Sequence, residues 1–469
     1  METNRYYHDH LERLDEGPSP QPDVTEAEML VFLAVTIQMG HCIWDKLTNY
    51  WSRSYNFHTP FYGNAMKRDR FFHILRFLHF TDKQELAWHE GRKFWPVMEN
   101  EKSFQILNKK FSKFYSPSEH LAVDEVIVKF KGRVIFQQYI PKKHKCFGIK
   151  IYKLCDETGY TYDMKVYLGR DTQRTVQHLT ATHTTVSELT KKIQRCGHKP
   201  YMDNYFSSPD LFDDLVTKQI YCCGTVRPNR EGMPQDLGPK RMTRGDLQVR
   251  TRGDLTAILW RDKCDIRILT NIHDPSAEGN FCDNNGKAIK LQIVADYNHH
   301  MSYVDKGDRM VNSYSINCCT WKWTKKLFFH LFDQAILNSY ILFSSLGGKK
   351  LSHSDFWNTL LGNLLAHAGH ERNVQRPIGR PPAAATQVIR FEEHGRKHWP
   401  IPSATRRRCR VCAEKGVTRN VSVICERCDI ALCCDRRCFV DYHNKADPWN
   451  ISSCSTGSPY LKLWPQLEC

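Results

Sequence analysis

Seven of the chain's nineteen cysteines fall between Cys409 and Cys438, and their spacing is that of metal ligands. Cys409-x2-Cys412 and Cys425-x2-Cys428 are two knuckles, each able to present a pair of thiolates to a tetrahedral ion, and Cys433 or Cys434, Cys438 and His443 follow closely. A segment this short has no core of its own, so a metal staple is the physical reason for it to fold. Four ligands make one zinc site, and seven or eight make two. Modules of this kind bind proteins as readily as nucleic acid, so zinc alone selects neither partner.

A second set of residues is acidic. Asp is disfavoured inside strands, yet LAVDEV puts Asp124 and PYMDNY puts Asp203 among apolar strand formers. Farther on, YVDKGDRM sets Asp305 and Asp308 three apart, on one face of a helix. Taken singly, each has a bland reading as a turn former or a solvated helix pair. Together, in a basic chain, they suggest oxygen ligands for Mg²⁺, since clustered carboxylates repel one another unless cations neutralise them. Two such ions can serve a phosphoryl displacement by activating the attacking oxygen and stabilising the leaving one.

The third set is basic. The chain's 67 Lys+Arg against 51 Asp+Glu give +16, a field that favours a polyanion. Lys129, Lys131 and Arg133 alternate after Asp124 as if along one sheet face, and Lys142 and Lys143 follow. Arg227 and Arg230 bracket an Asn-Pro turn; Lys322 and Lys325 flank Trp323, a residue better suited to a core than to stacking on a base. Gly379, Arg380 and Pro381 reproduce the core of a minor-groove AT-hook, without strongly basic flanks. Residues 371–443 hold 15 Lys+Arg and 8 Asp+Glu, +7 of the total +16, which makes this arm a place for non-specific DNA attraction and, at Arg406–Arg410, for a nuclear import signal.

The elements that must position these groups are of two kinds. Residues 1–119 read as helical: Thr25 and Glu28 form a capping box, Met29, Phe32, Leu33 and Ile37 follow at helical spacing, Gly40 ends that helix, and Phe71, Ile74, Leu75 and Leu78 mark another. From residue 120, short β-branched and aromatic runs (HLAVDEVIVKFKGR, FGIKIYKL, YTYDMKVYLG) give way to a helix with Val186, Leu189 and Ile193 and then to the strand KPYMDNY, a mixed α/β pattern. Residues 230–290 are turn-rich with strands such as LTAILW and DIRILT, and read as an insertion. KLQIVADYN is expected to resume the strands, and Phe328, Leu331, Phe332, Ala335 and Ile336 mark a long buried helix. Residues 371–404 have linker composition, 405–445 form the cysteine module and 446–469 a tail. With no run of eighteen apolar residues and a charged start, the chain is expected to have neither membrane span nor secretory signal, and its remaining cysteines to be free thiols.

Ordered along the chain, ETNRYY, LTNYWS, RDRFFHILRFLHF, LAVDEVIVKFKGR, FGIKIYKLCDETGYTYDMKVYLGR, YMDNYFSS, GTVRPNREGMP, DYNHHMSYVDKGDRM, KWTKKLFFHLFDQAILNSY and the terminal Cys/His spacing resemble the piggyBac family of transposases and their genome-resident derivatives. The resemblance implies an α/β fold: a ribonuclease-H-like core in two parts (120–229 and 291–313), an inserted β-rich domain at 230–290, a split helical region for dimerisation and DNA binding (1–119 and 314–370), and a C-terminal cross-brace module with two zinc ions. It places a DDD triad at Asp124, Asp203 and Asp305, makes Asp308 a further acidic ligand of Mg²⁺, prefers Cys433 to Cys434, and suggests His398 as the eighth zinc ligand. The implied activity is cut-and-paste movement at TTAA sites through a nick, a hairpin and strand transfer, by a nuclear homodimer on double-stranded DNA. A domesticated relative that binds DNA or chromatin without cutting is the alternative; a zinc adaptor or ubiquitin ligase would account only for residues 405–443. Members commonly carry a longer acidic N-terminal extension and further folded residues before the ETNRY segment; if the chain is the whole product, part of the helical DNA-binding region is expected to be missing.

Overall fold

The computed structural model describes residues 2–11, 21–80, 101–141, 146–169, 179–238, 242–274, 278–283, 289–316, 320, 322–347, 350–369 and 398–444. The chain divides into two compact units, Met1–Glu371 and Arg372–Cys469. In the first, helices α1 (Glu2–Leu11), α2 (Glu26–His41), α3 (Pro60–Ala65), α4 (Arg68–Phe77) and α5 (Glu101–Phe114) precede the strands. The expected capping box is present: the Thr25 hydroxyl accepts the Glu28 amide while the Glu28 carboxylate accepts the Thr25 amide, both at 3.2 Å. Beyond it α2 is buried nearly all round, not along one stripe, because it is the centre of the helical layer. Gly40 is required there, since a Cβ would stand 2.2 Å from the Tyr314 carbonyl oxygen.

Ten strands then form one sheet: β1 (His120–Lys129), β2 (Gln138–Tyr139), β3 (Phe147–Asp156), β4 (Thr161–Val166), β5 (Lys199–Met202), β6 (Cys223–Thr225), β7 (Asp246–Arg252), β8 (Leu255–Arg261), β9 (Asp265–Thr270) and β10 (Gly279–Asn280), in the order β10-β7-β8-β9-β6-β5-β1-β3-β2 with β4 also on β3. Strands β1, β5 and β6 are parallel; β3 and β4 run antiparallel to β1 and to each other, respectively. Helix α6 (Ala181–Leu189) lies between β4 and β5 in the chain, and α7 (Pro209–Thr217) between β5 and β6. The turn-rich stretch 230–290 makes no sheet of its own: β9 pairs with β6, so β7 to β10 extend the main sheet.

The segment KLQIVADYN corrects the sequence reading. It is not a strand but helix α8 (Gln292–His300). Its β-branched Ile293 and Val294 imitate a strand, but Ile293, Tyr297 and His300 recur at helical spacing, and Ile293, Val294 and Tyr297 pack on the apolar cluster of β7–β9. Helix α9 (Tyr303–Ser313) follows and packs on β1 and β3; a Cβ on Gly307 would lie 2.7 Å from the Gly159 carbonyl oxygen, so the approach to the β3–β4 turn needs glycine there. Helices α10 (Trp323–Ser345) and α11 (His353–His367) complete the unit. Phe329 of α10 and Ile316 share one cluster with Phe32, Phe71 and Ile74, so the two helical stretches, distant in sequence, pack as one layer.

The second unit holds a two-stranded sheet of β11 (Pro400–Arg408) and β12 (Asn420–Cys425), with short helices α12 (Arg410–Glu414) and α13 (Cys438–Asn444). Strand β11 occupies residues that compositionally read as the end of a linker. Among the described residues no helix is long and apolar enough to cross a membrane.

Candidate active site and metal centres

In β1 the residues Leu121, Ala122, Val123 and Val126, Ile127, Val128 are all buried, and the run is interrupted only by half-buried Asp124 and Glu125. The last pair of the β1–β5 ladder is Val123 with Met202. Asp124 and Asp203 are each the next residue, so the two carboxylates stand at neighbouring positions where β5 leaves the sheet. Beyond strand ends in a parallel region the chain opens a crevice, the usual place for a ligand in such sheets.

Asp203 is held by its own turn: the Tyr205 amide donates to its Oδ1 at 3.0 Å, and the Phe206 and Ser207 amides donate to its carbonyl oxygen at 3.2 Å. Burial pushes the Asp203 carboxyl above its ordinary range and the negative charge of Glu125 adds to this, while the Tyr205 and Phe206 amides and Lys150 oppose it. Asp124 Oδ1 accepts the Glu125 amide at 2.7 Å. Its cross-strand partner on β3 is Lys153, fully buried, whose Nζ donates to Gln334 Oε1 of α10 at 2.6 Å; Gln334 leads on to Asn338, which bonds both backbone groups of Thr161.

Four residues around these carboxylates had not been singled out. Glu125 pairs with Lys150 at 3.6 Å, and the Lys150 ammonium lies 4.2 Å from the ring centre of Tyr205 and 4.8 Å from that of Tyr152. Lys150 and Lys153 were detectable as cations within an otherwise apolar strand, and Glu125 as the neighbour of Asp124. Tyr297 gave no signal: it comes from α8, hydrogen-bonds Thr225 Oγ1 at 3.2 Å, and is pushed up to about 12 by burial, with the charges of Asp203 and Asp124 adding.

Asp305 sits in the first turn of α9 and is exposed; Asp308, one turn later, is half-buried. Helix α9 presents Tyr303, Val304, Gly307 and Val311 to the protein, and Lys306 Nζ anchors it to the Glu157 carbonyl at 2.7 Å. Asp305 and Asp308 thus lie on a helix that crosses β1 and β3. Among the described residues, groups of three or more His, Cys, Asp or Glu with ligand atoms within 4.8 Å of one another occur only in the second unit.

The basic residues separate into three kinds. Lys129, Lys131 and Arg133 are exposed, but β1 ends at Lys129, so the other two belong to the following turn and the expected strand alternation stops there. Arg227 and Arg230 clasp the turn after Asp203: Arg227 Nε donates to Asn204 Oδ1 at 3.2 Å, and Arg230 donates to the carbonyls of Asn204 and Tyr205. Lys322 is exposed and lies 5.4 Å from the Tyr6 ring centre. Lys325, expected at a DNA surface, is instead 4% exposed, its Nζ donating to the carbonyls at the end of α4, Leu75 and Arg76. It ties α10 to α4, its Nζ turned to those carbonyls and away from solvent. Trp323 packs edge-on against Phe136 with centroids 5.2 Å apart. Lys142, Lys143 and Arg380 lie outside the described residues.

The second unit gathers two ligand sets. Cys409, Cys412, Cys433 and Cys438 form one, all buried, with Cys412 Sγ 3.6 Å from Cys433 and 3.7 Å from Cys438. His398, Cys425, Cys428 and His443 form the other; His398 Nδ1 is 3.5 Å from Cys425 Sγ and 3.4 Å from Cys428 Sγ, and His443 Nε2 is 3.5 Å from Cys428 Sγ. A zinc–sulfur bond of about 2.3 Å gives tetrahedral edges of about 3.8 Å, so both sets are of a size that can hold zinc. His443 Nδ1 meets the Phe439 carbonyl at 2.8 Å, which fixes the tautomer and leaves Nε2 for the ion. The two sets alternate along the chain, as a cross-brace requires. Cys434, the alternative to Cys433, is exposed and outside both.

With this arrangement in hand, comparison with known proteins defines the class. The family model described as Transposase IS4 matches residues 1–340. The human PiggyBac transposable element-derived protein 3 is 23% identical over 436 residues, covering 90% of this chain and 71% of its own, and the human PiggyBac transposable element-derived protein 5 is 23% identical over 392 residues, covering 78% and 72%. One chain of a piggyBac transposase synaptic complex with hairpin DNA, solved by cryo-electron microscopy, superposes with a TM-score of 0.70 at 22% identity, covering 92% of this chain and 93% of that one. The chain belongs to the piggyBac transposase family.

Proposed function

We propose that this chain is a DNA transposase whose cleaving centre is built on Asp124 and Asp203, with Asp305 as third member and Asp308 beside it. The observation that carries the reading is the placement of Asp124, within β1, beside Asp203, the residue that follows the end of the parallel strand β5, in a chain of this family. The parallel β1–β5–β6 strands with antiparallel β3 and β4 are read as a ribonuclease-H-like core, the outer strands β7–β10 as its β-rich insertion, and the paired helical stretches as the DNA-binding and dimerisation layer.

The fit to a hard cation rests on charge. Burial and, less, Glu125 hold the Asp203 carboxyl above its usual range, so a cation placed beside it would favour its charged form. Asp124, Asp203 and Asp305 would hold Mg²⁺, which when bound supplies Lewis acidity to the phosphate oxygens. The protein's part is positional. Lys153 and the Gln334–Asn338 network tie β3 and β4 to α10; the Tyr205 turn, clasped by Arg227 and Arg230, fixes Asp203; Lys129, Lys131 and Arg133 attract the duplex. The reaction is proposed to run as nicking of a transposon end, attack of the freed 3′-OH on the opposite strand to give a hairpin, and joining at TTAA, by a nuclear homodimer whose two zinc ions organise the C-terminal module for DNA.

A second reading, DNA binding without cleavage, is favoured by one observation: Asp305 is exposed and not gathered with its partners. A labelled TTAA-flanked end incubated with Mg²⁺ and resolved on a denaturing gel separates the two. A nick that converts to a hairpin, lost in Asp203→Ala, is the expected result; binding without cleavage in the unmodified protein would establish the second reading.

A further inference from the structure

Residues 126–155 contain eight Lys+Arg and no Asp or Glu. Two of these cations, Lys150 and Lys153, are buried; Lys129, Lys131 and Arg133 are exposed. At the same end of the sheet the two-residue edge strand β2 pairs with the start of β3, putting Tyr139 directly opposite Phe147. Their rings are stacked, 4.5 Å apart at 27°, although Tyr139 is 61% and Phe147 45% exposed. An exposed aromatic pair at a sheet edge invites association with another chain unless something covers it. The surrounding charge, all of one sign, says what that is. Exposed cations repel a second copy of this basic surface and attract a polyanion, and every nucleobase has a face that stacks on an aromatic ring.

We propose that Tyr139 and Phe147 form a stacking platform for an unpaired DNA base, with Lys129, Lys131 and Arg133 holding the phosphates beside it. The role that Trp323 cannot fill, being packed against Phe136, falls to this pair. Duplex DNA hides its base faces, so the platform acts where strands separate, as they do at a nicked or hairpinned end. The inference rests on the DNA reading above and adds to it a class of ligand: single-stranded or extruded nucleotide.

The test uses the full-length protein with a random-sequence duplex and the corresponding single strand, each carrying 2-aminopurine, whose fluorescence falls when it stacks on an aromatic ring. For the unmodified protein, quenching is expected on the single strand. The double variant Tyr139→Leu with Phe147→Leu should lose that quenching and about tenfold in single-strand affinity while duplex affinity changes by less than about threefold, because stacking and phosphate attraction are separate contributions. Tyr139→Trp with Phe147→Trp should restore quenching, which a merely structural effect would not. Unchanged quenching in the leucine variant, or an equal loss for both probes, would overturn the platform alone. A shift in oligomeric state with DNA binding intact would reassign the pair to a contact between copies and overturn it as well. Failure of the unmodified protein to bind either probe would overturn it together with the DNA reading.

Discussion

The two units hold their candidate metal ligands in opposite ways. In residues 398–443 eight donors are already gathered into two sets of four by the chain's own folding, and one set is wholly buried. On the main sheet Asp124 and Asp203 are paired by strand register, but Asp305 stays exposed on its helix. The chemistry of the donors accounts for the difference. Protonated thiols and neutral imidazoles carry no charge, so they can be packed together without ions; carboxylates are charged at neutral pH and must be kept apart until cations and a substrate arrive. A closed set suits a structural ion and an open one suits catalysis, in which part of the coordination belongs to the reacting phosphate.

The largest effect that would break this contrast is in the thiolate unit. Replacing Cys412 with Ser should remove one of two bound zinc ions and loosen the part of the second unit built on Cys409, Cys412, Cys433 and Cys438, since zinc contributes about 10–16 kcal/mol to folding modules of this size. Metal analysis with limited proteolysis reads it: a stoichiometry falling from two ions to one, with cleavage confined to the second unit. An intact, protease-resistant module after chelation would mean that the ligand sets are packed cysteines and nothing more.

Next is the carboxylate unit. Asp203→Ala should lower strand cleavage by about 10³-fold or more, the upper part of the range for removing one electrostatic contact at a reacting centre, while zinc content and duplex affinity stay unchanged. Measuring all three on one preparation sharpens the comparison, because a structural ligand and a catalytic one must fail differently. A variant that cuts normally would remove Asp203 from the site.

How far these features were legible in the sequence follows the same division. Cysteine spacing is local, so the clustered ligands from Cys409 to His443 could be read before any fold was known, whereas the preference for Cys433 over Cys434 and the candidacy of His398 came from the family resemblance. Asp124 and Asp203 could be read because an acid inside an apolar strand contradicts its surroundings. Resemblance supplied the association of Asp305 with them; the residues alone gave only a helical pair. What failed was non-local. KLQIVADYN looked like a strand because a two-residue β-branched run, Ile293 and Val294, does not reveal its period. Lys325 looked like a DNA contact because composition cannot show that a helix-terminal carbonyl pair 250 residues away is waiting for its ammonium. That β9 of the stretch 230–290 pairs with β6 was likewise not announced by anything in its residues.

A smaller effect probes that hidden class directly. Lys325→Met keeps the length and apolar stem of the side chain but abandons the carbonyls of Leu75 and Arg76, so it should cost about 1–3 kcal/mol. Chemical denaturation of the full chain measures it, and the loss should be confined to the first unit. Equal stability would show that water satisfies those carbonyls and that Lys325 is free to act elsewhere.

The smallest effect concerns acid. His120 opens β1, its ring stacked on His300 at 4.3 Å and its Nδ1 3.3 Å from the Tyr201 hydroxyl, with Glu119, Lys199 and Asp296 as the other charged neighbours. Burial lowers its pKa from the ordinary 6.5, and His300 and Lys199 push the same way against Glu119 and Asp296. A histidine whose folded pKa is depressed binds its proton more readily when unfolded. Its contribution is therefore neutral above about 6.5 and becomes progressively destabilising below it, until the folded form also titrates. Acid should thus weaken the first unit, and His120→Phe should relieve part of that loss without changing stability near pH 8 by more than a fraction of about 1 kcal/mol. The second unit also weakens in acid, but because its thiols and imidazolium rings must lose protons to hold metal and acid returns them. Melting curves taken with and without a chelator separate the two: acid sensitivity of the first unit should survive chelation, whereas that of the second should vanish with its ions. If chelation removed both, the sheet and the cysteine module would share one metal-dependent stability, and the contrast between a preassembled and an open site would fail.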